Sequence, residues 1–88
     1  MSTAAKSFHY IVLPSQKKTI TKEQVDQAID ELAVSLGALV HVKAGDVAAK
    51  FDAAMPDMTD TEYHSIKHFA DRWLHVKRVA YYANKNGN

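Results

Sequence analysis

Eighty-eight residues, 47% apolar and 24% charged, make one small globular domain, residues 1–88, in which each core side chain weighs heavily. The absence of cysteine excludes a disulfide framework, thiol catalysis and the usual cysteine-containing structural zinc sites. The longest apolar runs are far too short to span a bilayer, and the first six residues lack the apolar core of a signal peptide, so the expectation is a soluble cytoplasmic chain with no membrane partner.

The net charge of +1 hides a division along the chain. Residues 1–21 carry three lysines and no acid, and residues 22–62 carry nine acids against three lysines. Residues 63–88 carry five basic residues against Asp71 alone. A basic end on an acidic middle fits either an acidic partner or the two parts lying against each other in the fold. The second explanation is preferred.

Residues 1–6 read as a disordered leader. Residues 8–13 are β-branched and aromatic, end at Pro14 and are too short for a helix, which predicts a strand. Residues 14–19 read as a polar connector. The first helix is announced by a capping box, Thr21 with Gln24, and by a hydrophobic staple, Ile20 with Val25. Val25, Ala28, Ile29, Leu32, Ala33 and Leu36 repeat at helical spacing up to Gly37, a natural left-handed stop. Residues 38–43 predict a second short strand, parallel to the first across a right-handed crossover. Asp46 is expected to cap a second helix that carries Val47, Phe51, Ala54 and Met55 on one face and ends before Pro56.

The last helix, residues 59–83, repeats the first one's signature, with Thr59 and Glu62 as capping box and Met58 and Tyr63 as staple. Ile66, Phe69, Ala70, Trp73, Val76 and Ala80 form its apolar stripe. Residues 84–88, rich in Asn and Gly, are expected to fray. The fold class is therefore mostly α with minor β, in the order β-α-β-α-α with a long C-terminal amphipathic helix. A three-helix bundle with extended connectors is the rival.

The polar face of that helix carries His64, His68, Asp71 and His75, spaced by four, three and four residues, within roughly 60° of one another. Exposed helix faces usually carry Glu, Lys or Gln. Imidazoles there can change charge near neutral pH, ligate a metal or dock a partner. His64 and His68 can share one divalent ion, but four ligands over three turns span about 16 Å, too far for a single ion to collect them all. No metal site or cofactor is therefore assigned, and His64 with His68 is kept as the weaker possibility. His9 and His41 fall in predicted strands and read as structural.

Catalysis finds no constellation. Ser65, the nearest hydroxyl, points away from the histidines, and the three glycines form no phosphate loop, so no enzyme is predicted. The preferred function is a non-catalytic binding protein (an inhibitor, adaptor or accessory subunit, of the kind mobile elements carry) acting on another protein. Its contact surface would be His64, His68, Asp71, His75, Arg78 and Tyr82, a mixture typical of protein–protein contacts. Val25, Ile29, Leu32, Leu36, Phe51, Ile66, Phe69 and Trp73 would be scaffold.

A nucleic-acid reading stands beside it. Helix, short strand, helix, turn and a longer helix, with residues 40–51 as the strand and second helix, resemble a winged-helix module. That resemblance implies that the third helix enters a DNA groove, with Lys67, Arg72, Lys77 and Arg78 as phosphate contacts and Tyr81, Tyr82 and residues 84–87 as the start of a wing. Asp57, Asp60 and Glu62 would repel phosphates at the front of that helix, and no return strand follows the tail.

Overall fold

A computed structural model describes residues 9–86, the side chains of the last two excepted. The expected leader, residues 1–6, and residues 87–88 lie outside the described residues. Among the described residues two strands and three helices follow one another, with a 3₁₀ turn inside the hairpin and another before the second helix. The fold class expected from the sequence, mostly helical with minor β, is the one observed.

β1 (Tyr10–Leu13) and β2 (Lys18–Thr21) pair antiparallel, Ile11 opposite Ile20 and Leu13 opposite Lys18. The second strand thus begins in the expected connector and runs into the residues expected to staple and cap α1, not at residues 38–43, and the order among the described residues is β-β-α-α-α. The turn at Pro14–Gln16 closes through Lys17, whose backbone is left-handed (φ 48°) and whose N–H donates to the Pro14 carbonyl at 3.2 Å. Alternation puts Ile11, Leu13 and Ile20 on the face toward the helices, and Leu13 and Ile20 are fully buried. Residues 38–43 fail as a strand because their burial does not alternate. Leu39–His41 turns as a 3₁₀ segment, Val40 is exposed, and Val42 alone is fully buried.

α1 (Lys22–Leu36) starts with the expected capping box. The Gln24 N–H donates to Thr21 Oγ1 and the Thr21 N–H to Gln24 Oε1. It stops at Gly37, whose φ of 96° suits a residue without a Cβ. α2 (Ala44–Ala54) begins three residues earlier than expected. Lys43 is its N-cap residue, and Asp46 sits in the first turn, its carboxylate accepting the Lys43 N–H at 3.1 Å. An acid there still favours the positive end of the helix dipole.

α3 (Asp60–Asn86) is 27 residues long, about 40 Å, and runs through residues 84–86, where fraying was expected. Its buried stripe is Ile66, Phe69, Ala70 and Leu74, joined with Val25, Ile29, Val42, Val47 and Met55 in one core. Leu74, outside the expected stripe, is almost fully buried, whereas Val76 is 43% exposed and Ala80 is exposed too. The stripe stops because α3 outruns the elements that cover it. Trp73 and Phe51 pack at the edge of the core, and Lys22 Nζ sits 4.9 Å from the centroid of the Trp73 ring. Leu36, expected as scaffold, is 43% exposed at the end of α1. No helix among the described residues is long and apolar enough to cross a membrane.

Candidate functional site

The start of α3 is fixed by Glu62. Its carboxylate accepts the Thr59 N–H at 3.1 Å, completing the capping box, and also reaches across the fold to the hairpin turn. There it accepts the Ser15 N–H at 2.8 Å and the Ser15 hydroxyl. The Ser15 hydroxyl, then its N–H, hold the Glu62 carboxyl below the usual glutamate range, against a smaller opposing effect of burial. The sequence marked Glu62 as a cap and as a repulsive charge at a DNA-facing helix end. It is in fact buried and committed to Ser15, which no local pattern could reveal.

This anchoring orients the whole helix. With Ile66, Phe69, Ala70 and Leu74 facing inward, His64, His68, Asp71 and His75 project outward and all four are exposed. The four side chains make no hydrogen bond or ion pair among the described residues. The His64 ring meets Tyr63 edge-on, with centroids 5.8 Å apart. Tyr82 continues the same face, 42% exposed, and stacks edge-on with Tyr81 at 5.1 Å. Val79, 55% exposed, borders it one turn below His75. Sequence reading passed over Val79, although its place four residues after His75 puts it on this face.

The basic residues divide differently from the expectation. Lys67 and Arg72 are exposed on the flanks of the face. Lys77 instead turns toward α1, its Nζ 3.1 Å from Asp30 and 3.7 Å from Asp26. Arg78 is half-buried and donates to the Val42 carbonyl, tying α3 to the segment before α2. Arg78 therefore leaves the expected contact surface, and Lys77 and Arg78 leave the expected phosphate contacts. Both are spent inside the fold because α3 passes directly over acidic α1 and over the carbonyl of buried Val42. The acidic middle and basic end of the chain do lie against each other. Within the middle, Lys50 pairs with Glu31 at 3.2 Å and, together with Gln27, lowers the pKa of that carboxyl.

His9 and His41, read as structural strand residues, are both exposed, and His41 sits in the 3₁₀ turn. The wing expected at Tyr81, Tyr82 and beyond is replaced by continuous helix. Beneath this overhang an open groove of about 340 Å³ separates Ala33 and Leu39 from Ala80 and Tyr81. Among the described residues no three His, Asp or Glu side chains gather around a common point at metal-binding reach. Compared with known proteins, the chain matches no family model, no curated protein and no solved structure.

Proposed function

We propose that this chain is a small non-catalytic cytoplasmic binding protein, an inhibitor, adaptor or accessory subunit, that docks another protein on the outward face of α3. The observation that carries this reading is one continuous exposed surface on a helix otherwise fixed at its front end. His64, His68, Asp71, His75, Val79 and Tyr82 lie along it. It mixes imidazole, carboxylate, aromatic and aliphatic groups, the composition that protein contacts favour over phosphate contacts. DNA binding loses support because Lys77 and Arg78, two of its four cations, serve α1 and the Val42 carbonyl.

The test is a pull-down in chelator comparing wild type with His64→Gln, His68→Gln, His75→Gln combined, alongside a duplex DNA shift assay at low salt. A partner retained by wild type and lost by the variant, with equal melting temperatures, is the expected result. Equal capture by both proteins removes the face from the account. A DNA shift that weakens steeply with salt replaces protein binding by nucleic-acid binding.

A further inference from the structure

The outward face of α3 carries its ligating side chains at palindromic spacing. His64 and His68 are four residues apart, Asp71 and His75 are four apart, and three residues separate the pairs. Each pair is one turn apart on one helix face, about 6 Å along the axis, so each is half of a metal site. One molecule cannot bring both halves to one ion, because they lie about 10.5 Å apart along a rigid helix. A second copy can. Two α3 helices set antiparallel about a two-fold axis between residues 69 and 70 place His64 opposite the partner's His75 and His68 opposite the partner's Asp71.

We propose that two copies of this chain close on a divalent cation of the zinc class through this face. His64 and His68 of one copy and Asp71 and His75 of the other complete four ligands, twice per dimer. Three imidazoles and a carboxylate suit zinc, and four is its preferred coordination number. A palindrome is what a two-fold interface requires, since the same patch must serve both sides. The antiparallel setting also opposes the two helix dipoles. All four ligand residues are exposed and, apart from the edge contact of the His64 ring with Tyr63, make no polar contact among the described residues, so binding breaks no hydrogen bond or ion pair of the fold. Zinc would then control access, because the dimer covers the docking face. The proposal rests on that face being a docking surface, and the chelator pull-down tests that surface without zinc.

The experiment is light scattering after gel filtration, in zinc chloride and in chelator, on three proteins. These are wild type, a His64→Gln/His68→Gln variant and an Asp71→Asn/His75→Gln variant. Wild type should move from the 9.8 kDa monomer to about twice that mass, with one zinc bound per chain. Each variant alone should stay monomeric, because its homodimer would hold only half-sites. Mixed in equal amounts, the two variants should form a heterodimer in zinc with a single complete site and half the zinc. A wild type that stays monomeric in zinc overturns the proposal. So does a mixture that stays monomeric, or either variant dimerising alone with unchanged zinc dependence.

Discussion

The two halves of α3 are built on different physics. From Asp60 to His75 the helix is held by apolar burial on one side and, at its start, by Glu62 bridging Thr59 and Ser15. From Val76 onward its apolar residues face solvent, and the inward contacts are polar, Lys77 to Asp26 and Asp30 and Arg78 to the Val42 carbonyl. One half is a core element that happens to show a polar face. The other is an arm steered by two cations. Amphipathic patterning describes the first half and misdescribes the second, because a periodic pattern does not know where its covering elements end.

Core truncation should show the difference most strongly. Phe69→Ala should cost about 3–5 kcal/mol, while Val79→Ala should stay within about 0.5 kcal/mol. Urea denaturation of the two variants measures both, and comparable losses would mean that the arm is packed after all.

Glu62→Gln comes next, since it weakens three hydrogen bonds at a buried position. Its melting temperature at neutral pH should fall clearly below wild type. The sign of the pH dependence follows from the lowered pKa. The Glu62 contribution is fully present above the ordinary glutamate value of about 4.3 and is lost as pH falls through the lower folded value. Melting curves of variant and wild type should therefore converge in acid. A constant gap down to the lowest accessible pH would assign the loss to shape and not to charge.

Arg78→Ala should follow, at about 1–3 kcal/mol, because it leaves the Val42 carbonyl without its charged donor. Lys77→Ala, a partly exposed ion pair, should cost at most about 1 kcal/mol. Thermal melts rank the pair, and a larger loss for Lys77 would reverse the roles given to the two cations. Smallest per site, the combined His64, His68 and His75 to Gln variant should lose no more than about 0.5 kcal/mol at each position. A cooperative drop beyond that would show the histidines supporting the fold and not a partner.

The helix boundaries were legible where local chemistry repeats a motif. Thr21 with Gln24, Thr59 with Glu62, and Gly37 all act as their sequence context implies. The outward placement of His64, His68, Asp71 and His75 followed from helical period alone. β2 was hidden because Ile20 and Thr21 do two jobs. They end a strand, and they also staple and cap α1, and only the second job has a sequence signature. Residues 38–43 look like a strand by composition, yet after the left-handed Gly37 the chain bends into a 3₁₀ turn that buries Val42 alone. Arg78 and Lys77 were misassigned because their partners are 36 and about 50 residues away, and no periodicity reports a contact at that range.

The bond between Ser15 and Glu62 also orders events during synthesis. The hairpin leaves the ribosome before α3, and its turn finds its anchor only after 47 further residues have followed. Until then the two strands have each other and α1, a marginal arrangement for so short a ribbon. The front of α3 is equally incomplete without the hairpin, since one carboxylate serves both. Folding of the nascent domain should thus complete in one step, once α3 is free to close back on the hairpin made before it.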